Sequence, residues 1–296
     1  MVKANTELKS WRFDFGPAVR SRPGYTRVTA TTAYTPQRGY GFLGLGRDGW
    51  LEDERSDGFY LKKGQKIVLQ ERMSSPGPSA GIADLVVVTD PWMPIRFAVA
   101  VEPNTYYQVK VSLAGADPSR DARVNLFSEK RHFHLLDKLI PRGQQLVYEF
   151  SVNVQNVYSK RTGVYVDRML NLGLCGENAA IAGVEIQQQP QGKTLWVLGD
   201  STVCDQTAPL PYFPLHNYGG VGQALSKYLG SDIAVSNHGE SGLETNSSKP
   251  HFENFKEQIL AGDFVLFEFG HNHKEVNGPD NFFNNIPHYY DFISSK

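Results

Sequence analysis

At 296 residues the chain is long enough for two domains, because a single hydrophobic core seldom grows past this size. Its 40% apolar and 21% charged residues exclude a disordered protein, and the balance of 30 basic against 31 acidic residues removes the electrostatic reason to expect nucleic acid or an acidic membrane as partner. No run of about 18 apolar residues predicts a membrane span. The opening Met-Val-Lys-Ala-Asn-Thr-Glu-Leu-Lys-Ser lacks the apolar core of a secretory signal, so the expectation is a cytoplasmic protein as written, or a secreted one whose signal has been removed.

From residue 10 to 190 the chain shows short alternating runs between Gly, Pro and Asp, at 11–15, 66–70, 96–101, 106–113, 123–127 and 145–152. A period of two with frequent turn residues predicts antiparallel strands, and no helical pattern exceeds two turns. In Phe97-Ala-Val-Ala-Val-Glu-Pro-Asn-Thr-Tyr-Tyr-Gln-Val-Lys-Val, two half-buried runs flank Glu102-Pro103-Asn104, whose turn chemistry predicts a hairpin-like reversal. The economical expectation for 10–190 is an all-β sandwich. The 14 Tyr and 17 Phe suit sheet packing, and they also suit stacking on the apolar faces of sugars, for which Trp50 and Trp92 are further candidates.

Gln187-Gln-Gln-Pro-Gln-Gly-Lys193 is a polar joint of the kind that separates domains. Beyond it Thr194-Leu-Trp-Val-Leu-Gly199 is a continuous apolar run, expected of a strand buried on both faces. Residues 219–229 predict a helix burying Val221, Leu225, Tyr228 and Leu229, and 233–236 a second strand. A helix over 251–260 is expected to bury Phe252, Phe255 and Ile259, before a third strand at 263–269. Strand, helix, strand, helix, strand predicts a parallel α/β unit over 193–296 with sheet order 2-1-3. Its third strand is too apolar for an open edge, which predicts a partner strand from a C-terminal complementing fragment or from a homo-oligomer.

Ligands of open parallel sheets bind beyond the carboxyl ends of the strands, and a polar segment follows each of the three. In Gly199-Asp200-Ser201-Thr202-Val203 a glycine and small polar residues allow a sharp turn that presents Ser201, either as a nucleophile with its own N–H as oxyanion donor or as a helix cap. In Asn237-His-Gly-Glu-Ser-Gly-Leu-Glu-Thr245 a glycine amide could approach a substrate without a side chain in the way, or simply shape a turn. In Phe269-Gly-His-Asn-His273 the Asn272 amide could donate a hydrogen bond without carrying charge. Cys175 and Cys204 show no metal-ligand spacing and are expected to be two buried thiols rather than a disulfide.

The run Val197-Leu-Gly-Asp-Ser-Thr-Val203, with Asp205-Gln206 after it, resembles the opening motif of the SGNH hydrolases, in particular their rhamnogalacturonan acetylesterase-like branch. The resemblance implies a flavodoxin-like three-layer α/β domain, here C-terminally truncated. It makes Ser201 the nucleophile and first oxyanion donor, Gly242 (or, in another register, Gly239) the second, and Asn272 the third. It implies no metal or other cofactor, and an acetylated polysaccharide or oligosaccharide as partner. Two departures stand out: His273 occupies a position where the family usually has Asp, and no Asp-x-x-His follows Ser201 to complete a triad, leaving His271, His273 and His288 as substitutes. Trp11-Arg-Phe-Asp-Phe-Gly16, Gly39-Tyr-Gly-Phe42 and the turn at Pro103 are similar to the galactose-binding-like module that often precedes such esterases. The expected function is a serine esterase removing acetyl groups from pectic polysaccharide. A carbohydrate-binding protein without turnover is the alternative, and a nucleotide site at Gly219-Gly-Val-Gly-Gln lacks a suitably spaced third glycine.

Overall fold

The computed structural model describes residues 8–17, 22–45, 59–60, 67–73, 84–214, 216–217, 219–274 and 278–296. The protein is mostly β-structure with few helices, arranged as several sheets. Trp50 and residue 66 lie outside the described residues.

Two larger sheets account for most of the strands before residue 190. One runs in the order Gln145–Val154, Thr105–Gly115, Ala179–Gln189, Ser10–Phe15, Thr26–Val28, with Asp84–Val88 paired to Ala179–Gln189 and Leu69–Met73 paired in turn to Asp84–Val88. The other runs His132–Ile140, Ala122–Ser128, Met169–Cys175, Ile95–Ala100, Tyr40–Phe42. Alternate residues of both sheets meet in one core, where Phe13, Phe15, Val109, Val111 and Val184 from the first sheet pack with Phe97, Val99, Val124, Leu126 and Leu172 from the second. Phe97 is the centre of an aromatic group, with Phe13, Phe15 and Phe42 all within 5.6 Å of its ring centroid.

The reversal at Glu102-Pro103-Asn104 is not a hairpin. Ile95–Ala100 belongs to one sheet and Thr105–Gly115 to the other, so the turn carries the chain across the core rather than along a sheet. Asn104 takes φ 53°, and the buried Tyr107 hydroxyl accepts from the Glu102 N–H (3.0 Å) and donates to the Glu102 carbonyl (3.1 Å). That exchange occupies backbone groups of Glu102 with a side chain instead of with a neighbouring strand.

After the joint, Lys193–Gly199, Ile233–Asn237 and Phe264–Glu268 form a parallel three-stranded sheet, with Lys193–Gly199 in the middle. This is the 2-1-3 order. The central strand is buried on both faces because alternate side chains enter different cores. Trp196 and Leu198 meet Phe252, Phe255, Ile259 and Tyr289, whereas Val197 meets Val203 and Val235. Lys249–Phe255 supplies the helix on the first face and buries Phe252 and Phe255, with Ile259 just beyond it.

Two elements depart from expectation. The segment expected to form a helix over 219–229 contains only one α-helical turn, Gly222–Leu225, and a 3-10 turn, Ser226–Tyr228; its fully buried residues are Gly222, Gln223 and Ser226, while Leu225 and Leu229 pack, partly buried, against Val197, Val203 and Val235. Val221 and Tyr228, expected inside, are 56% and 76% exposed. The polar side wins because Gly222 lies against the Val203 carbonyl and the Asn237 amide, and Gln223 donates to the Lys130 carbonyl at 2.8 Å. The other departure is a helix that the pattern did not suggest, Gly278–Ile293, which packs Tyr289, Phe292 and Ile293 beside the core of Trp196 and Phe252. Among the described residues, no helix is long and apolar enough to cross a membrane.

Side chains of the larger sheets fasten the parallel sheet in place. Tyr106 Oη donates to the Asp232 carbonyl (2.6 Å), Ser151 Oγ to the Ser231 carbonyl (2.6 Å), and Asn153 Nδ2 to Thr194 Oγ1 (2.9 Å).

Candidate functional site

Each of the three polar segments follows the carboxyl end of a parallel strand, and hydrogen bonds draw them together. Gly199 permits the first turn: a Cβ there would overlap the Glu268 carbonyl of the neighbouring strand and the Val203 side chain. The next residue, Asp200, is fully buried. Its Oδ1 accepts from the Thr202 N–H and hydroxyl, both at 2.9 Å. Between them lies Ser201, partly exposed, whose carbonyl accepts from Gln206 Nε2 at 3.5 Å. The Thr202 hydroxyl also contacts the Glu268 carboxylate.

The second segment is held to the first by the Glu240 N–H, which donates to the Gly199 carbonyl (3.1 Å), and by Ser241 Oγ, which accepts from Gln206 Nε2 (3.3 Å). Its two glycines differ. The Gly239 N–H donates to Asn237 Oδ1 (3.1 Å), and a Cβ there would press on Cys204. Gly242 is exposed with φ 78°, a left-handed conformation suited to glycine, and among the described residues its N–H has no protein acceptor.

The third segment closes the group. Asn272 Nδ2 donates to Asp200 Oδ2 (3.3 Å) and to the Leu243 carbonyl (3.1 Å). These acceptors are the residue before Ser201 and the residue after Gly242. The structure therefore brings the loops of Ser201, Gly242 and Asn272 to one rim of the parallel sheet.

The three histidines considered as bases face other groups. His273 Nε2 lies 3.1 Å from Thr245 Oγ1, His271 Nε2 lies 3.3 Å from Lys274 Nζ, and His288 Nε2 lies 3.5 Å from Glu253. Both cysteines are free and buried, and burial pushes the Cys204 thiol up to about 11 and the Cys175 thiol to about 12, so neither is a thiolate near neutrality. Among the described residues, no group of three or more His, Cys, Asp or Glu could hold a metal ion. The half-buried Trp92 packs on Phe213, ring centroids 5.2 Å apart.

Several residues that position this rim went unnoticed in the sequence. Arg131 (φ 68°) is buried in the turn between Ala122–Ser128 and His132–Ile140, and its guanidinium bonds to the Gln206 carbonyl and lies 5.4 Å from the Tyr212 ring. Beside it, His132 Nε2 pairs with Asp205 Oδ2 at 2.8 Å, and Asp205 Oδ1 accepts from Asn237 Nδ2 at 2.9 Å. The loop that carries Ser201 is thus gripped by a turn about 70 residues earlier in the chain. Only the residue types were legible; their partners are remote in sequence.

No protein-family model matches the chain. Over 86 residues it is 33% identical to rhamnogalacturonan acetylesterase RhgT of Bacillus subtilis (strain 168), a match that covers 28% of this chain and 35% of that protein. The chain thus spans about a third of the curated relative, and the match supports a distant relationship to an SGNH-type esterase. Among solved structures, protein YxiM of Bacillus subtilis superposes with a TM-score of 0.40 at 23% identity, covering 97% of this chain and 72% of that one. The extracellular domain of ANXUR2 from Arabidopsis thaliana gives 0.33 at 12% identity, covering 69% and 46%. Superpositions at these scores carry no weight for function.

Proposed function

We propose that this chain carries the nucleophile and oxyanion-binding part of a serine carbohydrate esterase that removes acetyl groups from pectic polysaccharide of the rhamnogalacturonan type. The observation that carries the proposal is the pair of bonds from Asn272 Nδ2 to Asp200 and to Leu243, which sets an amide donor between the loops of Ser201 and Gly242. In this reading residues 193–296 are the front of a flavodoxin-like SGNH domain, and residues 10–190 a galactose-binding-like sandwich.

The chemistry runs as follows. Ser201 Oγ attacks the acetyl carbonyl carbon as a base removes its proton, and the carbonyl oxygen gains negative charge. The N–H groups of Ser201 and Gly242 and one N–H of Asn272 stabilise that oxyanion. Both Asn272 protons are engaged in the resting geometry, and the 3.3 Å bond to Asp200, the longer of the two, is the one that yields. Collapse of the tetrahedral intermediate breaks the bond to the sugar oxygen, which leaves protonated, and water then hydrolyses the acetyl-serine. The base is proposed to come from a complementing segment that also pairs with the open edge of Phe264–Glu268.

Acetate release from acetylated rhamnogalacturonan oligosaccharides by the protein with its complement tests this proposal. Ser201→Ala is expected to lower the rate by about 10³-fold or more. Release that survives the substitution contradicts the mechanism. Sugar binding with no release in the parent protein favours the alternative, a carbohydrate-binding protein, for which the engagement of His273 with Thr245, of His271 with Lys274 and of His288 with Glu253 speaks.

A further inference from the structure

Three consecutive residues of the β-rich part converge on the stretch that follows the loop of Ser201. In the turn between Ala122–Ser128 and His132–Ile140, Glu129 and Arg131 take φ 49° and 68°, a left-handed conformation that is strained for residues other than glycine. The turn keeps it because each of its residues is tied down. Glu129 exchanges bonds with Asn171 of the neighbouring strand, its N–H donating to the Asn171 carbonyl (3.0 Å) and its Oε1 accepting from the Asn171 N–H (3.1 Å). Beyond it, the Lys130 carbonyl accepts from Gln223 Nε2 (2.8 Å), the Arg131 guanidinium donates to the Gln206 carbonyl, and His132 Nε2 lies 2.8 Å from Asp205 Oδ2. Lys130, Arg131 and His132 thus each hold a residue of the segment 205–223.

Arg131 is the most deeply buried of the three, 1% exposed. Its Nη2 also lies 3.3 Å from Gln223 Oε1, its Nη1 lies 3.4 Å from the Tyr212 hydroxyl, and its guanidinium carbon lies 5.9 Å from the Phe59 ring centroid. A planar fork held on several sides fixes the carbonyl it meets more firmly than a single flexible donor does. The residue so fixed, Gln206, reaches both loops with one amide. Its Nε2 donates to the Ser201 carbonyl (3.5 Å) and to Ser241 Oγ (3.3 Å), and lies 2.9 Å from Cys204 Sγ. Ser241 directly precedes Gly242. A shift of the Gln206 backbone therefore changes the spacing between the loops of Ser201 and Gly242.

We propose that Arg131 is a positioning residue for Ser201 and Gly242, acting through Gln206, so that the alignment of the two loops is set by the β-rich part of the chain and not by the parallel sheet alone. The chemical use of that alignment rests on the esterase reading, but the alignment itself is tested without turnover. Arg131→Met removes the donors and keeps a long side chain against Phe59 and Tyr212. Backbone hydrogen exchange, resolved by residue in NMR spectra, would be compared in the parent, Arg131→Met and Gln206→Ala proteins. The amides to follow are those of Thr202, bonded to Asp200 Oδ1, and of Glu240, bonded to the Gly199 carbonyl. Arg131→Met is expected to lower protection there about tenfold, and along the strand Thr105–Gly115 by less than about twofold. Gln206→Ala, at a half-buried position, should give the same pattern, and the double variant should lose no more than Gln206→Ala alone.

Protection at Thr202 and Glu240 that is unchanged in Arg131→Met, or lowered by the same factor throughout the sheets, overturns the proposal. Should Arg131→Met fail to fold, Gln206→Ala decides in its place: a loss confined to the two loops supports the relay, and unchanged protection overturns it. Failure of the esterase reading has a different signature. In the complemented protein, Arg131→Met should cut the limiting rate at which an alkyl fluorophosphonate modifies Ser201 about tenfold and leave its half-saturating concentration unchanged. No adduct in the parent protein, together with the expected exchange pattern, removes the esterase and leaves the link from Arg131 to both loops standing.

Discussion

Asn272 Nδ2 donates to Asp200 Oδ2 across 3.3 Å, joining the loop after the third parallel strand to the residue that precedes Ser201. Asp200 is fully buried, and its other oxygen holds both the N–H and the hydroxyl of Thr202 at 2.9 Å. One carboxylate thus shapes the turn around Ser201 and orients the amide opposite it. Asp200→Ala leaves the Thr202 N–H and one Asn272 N–H without that acceptor and is expected to lower stability by about 2–3 kcal/mol in urea denaturation. Asp200→Asn retains one acceptor oxygen and should lose about half as much. Equal stability of the parent protein and Asp200→Ala would show that the turn forms without the carboxylate.

Buried imidazoles make the fold sensitive to acid. Burial lowers the pKa of His238 to about 3, places His134 well below the ordinary range, and lowers His251 despite its bond to Glu240. As pH falls through the ordinary histidine value of about 6.5, the unfolded chain takes up protons that the folded chain does not, so stability falls with falling pH. Glu240 adds a later loss. Burial pushes its carboxyl upward, but the bonds from the Lys160 N–H and His251 outweigh this and hold it below its usual value of 4.5. Its contribution is complete above that value and disappears as pH drops through the lower, folded one. The melting temperature should therefore decline as pH falls below about 7 and decline more steeply once it passes about 4.5. His238→Phe, between the rings of Trp196 and Phe255, should flatten the decline between about pH 7 and 5. A melting temperature constant from pH 7 to 5 would contradict this assignment.

Gly222 is a close-approach glycine. A Cβ there would overlap the Val203 carbonyl and the Asn237 amide, so the helical turn Gly222–Leu225 sits directly on the loop that follows Ser201. Gly222→Ala should lower stability by about 1–3 kcal/mol, read by chemical denaturation, because the neighbours it meets are a backbone carbonyl and an amide already bonded to Val203 and Asp205. A neutral effect would mean that the turn packs less tightly on that loop.

Much of this architecture was legible in the sequence, and the failures have physical causes. The apolar run at 194–199 and the segments at 233–236 and 263–269 identify the parallel strands, because strands buried on both faces leave an unbroken hydrophobic record. The loops of Ser201, Gly242 and Asn272 were also legible as segments, since each follows such a strand. Sheet membership was not: Val99 and Val109 alternate in the same way whether their strands are neighbours in one sheet or face each other across a core. The helix Gly278–Ile293 was hidden by Pro279, Pro287 and three asparagines, which lower local propensity, whereas the packing of Tyr289, Phe292 and Ile293 decides the outcome. The burial of Gly222, Gln223 and Ser226 leaves no apolar signal in the sequence because their partners, Val203, Asn237 and Lys130, are fixed by tertiary structure alone.

The central claim is that the Ser201 hydroxyl, the Gly242 N–H and the Asn272 amide act on one carbonyl. Reaction of the complemented protein with an alkyl fluorophosphonate, followed by peptide mapping, tests it most directly, since the phosphonyl oxygen occupies the place of the oxyanion. A single adduct is predicted, on Ser201, absent in Ser201→Ala and formed about 10²–10³-fold more slowly in Asn272→Ala. An adduct on another residue, or a rate indifferent to Asn272, would contradict the account.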